Sequence, residues 1–239
     1  MSLLTGKGAT EVAEVTKGKV DLKEAFIRLK AENESVTVRL LGIDDFVSYK
    51  AHGDFNLGIY NSPCLAVGGD DCPYCVAKAK GGEKFEGLYA KNRVVFAFAE
   101  LNTGQVKCLD VSPNQAKKLN ADITEYKEEI LDGEIAFNLV RTGSGTSTGY
   151  ALKPLTPKKL TAVQEKFDAF DGQTVDIEFF EERVQGRSTD YMVKLLNDAG
   201  FPIREHFSAE LCDKALEDKD APAETPVTAV EDDGADEAI

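Results

Sequence analysis

The stretch from His52 to Cys75, HGDFNLGIYNSPCLAVGGDDCPYC, has neither the alternation of a strand nor the period of a helix, and it is too long for an ordinary connecting loop. A segment of that kind needs an ordering force other than an apolar face. It contains four residues able to supply one: His52, Cys64, Cys72 and Cys75, in the spacing H-x11-C-x7-C-x2-C. The pair within DCPYC puts two thiolates on one turn, where a single tetrahedral ion can take both at ~2.3 Å, while the other two ligands come from an earlier segment. This predicts one structural zinc ion held by His52, Cys64, Cys72 and Cys75.

Two other chemistries compete for the same residues. A redox dithiol is expected at the start of a helix within a βαβ pattern, and the strands here come as hairpins instead. A catalytic zinc of the deaminase type needs H-x-E and P-C-x-x-C; here position 54 is Asp, no proline directly precedes Cys72, and Cys64 is a fourth ligand that closes the site to water. The five cysteines are an odd number for a disulfide framework, and with Cys108 and Cys212 standing alone the cluster suits metal in a reducing compartment.

The rest of the chain reads as short strands in antiparallel pairs. SVTVRLLG alternates, DFVSYKAHGDF extends it, RVVFAFAEL with TGQVKCLDV forms a hairpin, and EIAFNLVRTG with TGYALKPL forms another over Gly143, Ser144 and Gly145. Helices are predicted from Asp21 to Glu32, on Leu22, Phe26 and Leu29, from the cap Ser112 through Ala116, Leu119 and Tyr126 to Ile130, and from Thr156 through Phe170. VDIEFFEERV and DYMVKLL fit a third hairpin, and DYMVKLLNDAG also fits a short helix closed by Gly200. The fold class is therefore mainly β with α insertions: an OB-fold-like antiparallel barrel, with an inserted zinc-binding subdomain at about 52–90.

Charge divides the chain unevenly. The 42 acidic and 28 basic residues leave a net −14. Residues 208–239 account for eleven of the acids against Lys214 and Lys219. The last nineteen residues have no basic or aromatic side chain and cannot bury enough apolar surface to offset ordering entropy. The predicted organisation is a flexible segment 1–20, a domain 21–207 and an acidic tail 208–239, disordered at least from 221. From Val76 to Arg93, by contrast, Lys78, Lys80, Lys84, Lys91 and Arg93 face only Glu83 and Glu86. Aromatic rings interleave with these cations, as unpaired nucleic acid requires, since bases stack on rings while cations track the phosphates. Tyr49, Tyr60, Tyr74 and Tyr89 are the stacking candidates, and Lys50, Lys78, Lys84, Lys91 and Arg93 the phosphate candidates. The plainer alternative is that rings such as Phe46, Phe96 and Phe98 are core and the cations a solvated face.

With His52, Cys64, Cys72 and Cys75 set among antiparallel strands, SYKAHGDF leading in, VRTGSGTSTGY after, and a detached acidic tail, the chain resembles the zinc-containing single-stranded DNA-binding proteins of tailed bacteriophages. The resemblance implies an OB-fold with a zinc subdomain, one structural Zn2+, binding of displaced single strands in DNA replication, recombination and repair, and a tail that contacts replication or recombination proteins. It also implies self-association along DNA, for which residues 1–20 bring Lys7, Lys17 and Lys19 against Glu11 and Glu14. The reading from a different class is a phage regulatory protein that docks on host transcription or replication machinery through the tail, with zinc as a staple. No enzyme is expected: there is no phosphate-binding glycine loop, and His206 is the only spare histidine. Met1 to Val20 lacks the apolar stretch of a signal peptide and no run is long enough to span a membrane, so a cytoplasmic location, that of the host cell for a phage protein, is expected.

Overall fold

The computed structural model describes residues 20–217. The expectations for residues 1–19 and for the acidic stretch from 218 onward lie outside the described residues. Strands β1 (Ser35–Arg39), β2 (Phe46–Asp54), β3 (Ile59–Pro63), β4 (Lys91–Glu100), β5 (Gln105–Val111), β6 (Phe137–Thr142) and β7 (Gly149–Pro154) form one antiparallel sheet in the order β3-β2-β4-β1-β6-β7, with β5 also on β4. Nine α-helices are inserted among or after them in the described residues: α1 (Pro73–Lys80), α2 (Pro113–Glu125), α3 (Lys127–Leu131), α4 (Pro157–Thr161), α5 (Gln164–Asp168), α6 (Ile177–Glu181), α7 (Thr189–Asp198), α8 (Ile203–His206) and α9 (Ala209–Leu216).

Strand β4 explains the curl of this sheet. Its residues 94–100 pair with β5 along one edge, so β2, on residues 91–96, and β1, on residues 99–100, must share the other. One strand serving two partners on one edge has to twist between them, and the sheet curls into a half-barrel. A central strand covered on both faces reads as an unbroken apolar run, which is what VVFAFA is. Phe96 and Phe98 enter the main core with Leu109, Phe137, Leu139 and Leu152, closed over by Ala116, Leu119 and Ile123 of α2. Val95, Ala97 and Cys108 face the other way, against Phe26 and Phe180. Helix α2 is started by a reciprocal cap, in which the Ser112 hydroxyl accepts from Gln115 N and Gln115 Oε1 accepts from Ser112 N.

Several expectations need correction. Residues 21–32 form no helix: after a turn at Asp21, the chain runs along the outer edge of β5, with Ile27 N donating to Cys108 O and Cys108 N to Ala25 O, each at 2.8 Å. An open edge of N–H and C=O groups is costly, and this segment closes it. Phe26 enters one core while Ile27 and Leu29 enter another, an extended-chain arrangement that helical spacing imitated. The segment from Thr156 to Phe170 is two short helices, α4 and α5, broken at Val163. VDIEFFEERV contributes α6 because Asp176 Oδ1 accepts from Phe179 N at 2.9 Å, and DYMVKLLND is helix α7. Finally, the tail does not begin at Ser208. Ser208 caps α9, whose Cys212 and Ala215 are buried against α7.

Candidate metal centre and anion cleft

Strand pairing brings the four expected ligands together. His52 lies near the end of β2, and β3 returns beside it with His52 opposite Ser62. Cys64 follows β3 directly and prolongs the ladder, its N–H donating to Lys50 O at 2.8 Å. Cys72 is the N-cap of α1, with Pro73 in the first turn, and Cys75 sits in that same turn. The ligand atoms lie within 4.8 Å of one another. Nε2 of His52 is 3.5 Å from both Cys72 Sγ and Cys75 Sγ, and Cys64 Sγ is 3.7 Å from Cys75 Sγ. A tetrahedral zinc site, with Zn–S of ~2.3 Å and Zn–N of ~2.05 Å, has S–S edges of ~3.8 Å and N–S edges of ~3.6 Å. The cluster therefore has the size and donor set to hold a metal ion such as zinc. Nδ1 of His52 donates to Leu88 O at 2.8 Å, which turns Nε2 toward the thiols as outer hydrogen bonds do at metal sites.

Without a metal, the centre stores protons. Burial opposes charge on His52, but its hydrogen bonds to Cys72 and Leu88 O prevail and raise it to about 9. Burial also opposes ionisation of Cys72, yet His52 and the backbone groups of Cys75 and Leu65 lower it to about 6. Burial and the neighbouring Cys64 thiol push Cys75 up to about 12. At neutral pH, His52 and Cys75 thus hold protons that metal binding must expel. Apparent zinc affinity should accordingly rise by at least about two powers of ten from pH 7 to pH 8, measured by competition with a chromophoric chelator. An affinity that does not change with pH would count against ligation by this pair.

The centre does not order its segment alone. Ile59, Tyr74, Phe85 and Leu88 pack with Met192, Leu196, Phe201, Ile203 and Cys212 in a second core, so residues from the metal segment and from α7–α9 bury one another. The expectation that no hydrophobic core orders residues 52–75 is thereby corrected: that core exists, but half of it lies more than a hundred residues further along.

The nucleic-acid candidates separate. Tyr74 is fully buried in this second core, edge-on to His52 with ring centroids 5.6 Å apart, and so offers no face to a base. Tyr49 is half-buried, with its hydroxyl donating to Asp110 Oδ2 at 3.0 Å, and its ring lines recesses other than the one beside Tyr89. Tyr60 is half-buried beside the exposed Phe55. Lys50, Lys78 and Lys84 are exposed on separate elements, Lys84 over the Phe85 ring. Tyr89, Lys91 and Arg93 do converge. They line a cleft of about 340 Å³ at the end of the sheet where β4 starts, β5 ends and the β6–β7 loop turns. Tyr89 is 41% exposed, with Lys91 Nζ 5.2 Å from its ring centroid. Gly143, at φ 68°, makes the loop turn here, and a Cβ on it would collide with the Ser147 carbonyl oxygen.

Sequence reasoning missed the far wall of this cleft: Ser112, Asn114 and Lys118 from α2, and Thr142, Thr146 and Thr148 from the loop. VRTGSGTSTGY pointed to the loop, but nothing linear joined it to Lys118. In a chain of net charge −14, the lining includes Lys91, Lys118 and the ion-paired Arg93 and, among the described residues, no carboxylate. Such a recess concentrates anions. No protein-family model matches the chain, and no curated protein matches it.

Proposed function

We propose that the protein binds single-stranded DNA without enzymatic activity, coating displaced strands in phage DNA replication, recombination and repair, and that a structural zinc ion at His52, Cys64, Cys72 and Cys75 holds the subdomain beside the strand. The observation that carries this reading is the cleft: a half-exposed ring, Tyr89, beside Lys91, Arg93 and Lys118, with hydroxyl groups on the opposite wall and no acid in the lining. A base stacks on such a ring with little regard to sequence, and the cations neutralise the phosphates next to it. On this reading the half-barrel is an OB-fold, a partly open barrel whose face and loops take oligonucleotides. Replication or recombination proteins are the proposed partners of the acidic stretch after 217, and self-association along the strand belongs to the same proposal. Among the described residues, no helix is long and apolar enough to cross a membrane.

The zinc is needed here for shape only. With three thiolates and one imidazole the coordination is closed, so the ion would offset most of the ligand charge and fix β3 to α1, leaving no position for a substrate. Fluorescence anisotropy with a labelled oligothymidylate at two salt concentrations tests the reading: binding should be tight at low salt and fall steeply as salt rises. No binding at low salt would sink it. Within the site, Tyr89→Ala should weaken binding by ~1–3 kcal/mol, whereas Tyr74→Phe should leave it unchanged. Equal losses in both variants would mean that ring burial does not decide which tyrosine stacks.

A further inference from the structure

A row of three side chains crosses the sheet behind the cleft. Tyr49 of β2 stands opposite Arg93 of β4, and Asp110 of β5 lies diagonally beside Arg93 on the same face. Asp110 Oδ1 accepts from Arg93 Nε at 3.1 Å, and Asp110 Oδ2 accepts from the Tyr49 hydroxyl at 3.0 Å. Arg93 is 5% exposed and Asp110 3%, so the ion pair is inside the protein. Yet Arg93 also forms part of the cleft wall.

A buried ion pair is a poor device for stability. Desolvating two charges costs about as much as their attraction returns, and well-packed apolar residues commonly do as well or better. A sheet rich in Val, Phe and Ala could have used them here. What an ion pair does provide is a guanidinium that cannot turn away, since a planar fork held at Nε keeps its orientation. Burial and the nearby Asp110 charge hold the Tyr49 hydroxyl protonated, which keeps it a donor to the carboxylate. A cation on a long side chain usually loses rotamer entropy when a ligand fixes it; Arg93, buried and held at Nε, has little left to lose.

We propose that Asp110 and Tyr49 are positioning residues that fix Arg93 as a preorganised phosphate anchor in the wall of the cleft. The proposal rests on the strand-binding reading above. It assigns Tyr49 a role one layer behind the strand, in place of stacking, and it makes a prediction whose sign is unusual. If Asp110 were only a negative charge near a polyanion, removing the charge would tighten binding.

The test is oligothymidylate binding by anisotropy across a salt series, for the full-length zinc-loaded protein and for Asp110→Asn, Tyr49→Phe and Arg93→Met, each checked for its thermal midpoint. Asp110→Asn should bind about five- to tenfold more weakly at low salt, and the slope of log affinity against log salt should become shallower by about one, as if a phosphate contact had been lost. Tyr49→Phe should weaken binding in the same direction by a smaller factor. Placing Asp110→Asn in the Arg93→Met background should cause no further weakening, because its weakening effect runs through Arg93. Tighter or unchanged binding by a folded Asp110→Asn overturns the proposal while leaving strand binding intact. If Asp110→Asn does not fold, Tyr49→Phe decides: unchanged affinity in that variant overturns the positioning role. A wild-type protein that binds no oligonucleotide overturns the strand-binding reading, and this inference with it.

Discussion

Replacing Cys72 by Ser should release the metal and loosen two parts of the chain that are more than a hundred residues apart. Cys72 joins the cluster to the start of α1, and its side chain lies in the core that residues 59–88 share with α7–α9. Structural zinc sites contribute ~10–16 kcal/mol of apparent binding energy at neutral pH, more than most domains have as total stability. Losing one ligand also leaves buried thiols and an imidazole without the charge that paired them. Elemental analysis should find about one zinc per wild-type chain and under about a tenth of that in the variant. Hydrogen exchange should speed up in 59–88 and in 189–216, while β4–β5 and β6–β7, which belong to the main core, keep most of their protection. Cys108→Ser is the control. That thiol is buried against Phe26 and Phe180, away from the cluster, and burial pushes it up to about 12, so the variant should keep its metal. Metal-free wild-type protein, or a fully loaded Cys72→Ser, would show that the geometric match is coincidental.

The second large effect is expected in the cleft. Lys91 on β4 and Lys118 on α2 approach it from opposite walls. Reversing both charges, Lys91→Glu with Lys118→Glu, leaves the recess with the ion-paired Arg93 as its remaining cation. At about 1.5 kcal/mol per charged hydrogen bond lost, binding of a single strand should fall by roughly a hundredfold at low salt. The salt slope should become shallower by about two, one unit for each phosphate contact. Reversing Lys78 and Lys84, which are exposed but do not line the cleft, gives the comparison: their loss should be several times smaller and should act only through general charge. Equal losses for the two pairs would mean that the strand follows the helical face of the metal segment and not the end of the sheet.

The four clustered donors could be found in the sequence because metal chemistry restricts spacing and residue type so tightly that His52, Cys64, Cys72 and Cys75 needed no tertiary information. The hairpins could be found for a related reason: the apolar run of β4, the alternation of β7 and the glycines of the connecting turns are local properties. Residues 25–29 misled because two periods fit them. Phe26 and Leu29 stand at helical spacing, but the unpaired edge of β5, a feature of the assembled sheet, made extended chain the better conformation. Strand β3 was hidden inside the aperiodic segment, since IYNSP is short and becomes a strand only by pairing with β2.

The sequence by itself determined the donor set of the His/Cys cluster and the antiparallel pairing, because thiolate chemistry and the apolar patterning of strands act over a few residues. The tertiary structure alone decided which aromatic and basic side chains share a surface. Tyr74 and Tyr89 are both tyrosines in the same local run of rings and cations, yet one is sealed behind His52 and the other opens on a cleft. The pairing of Tyr49, Arg93 and Asp110, and the meeting of Lys91 with Lys118, follow from strand register and from how α2 lies across the end of the sheet. The packing of α7–α9 on the metal segment likewise joins residues more than a hundred positions apart. Contacts of that range are set by the free energy of the whole core, which no local pattern encodes.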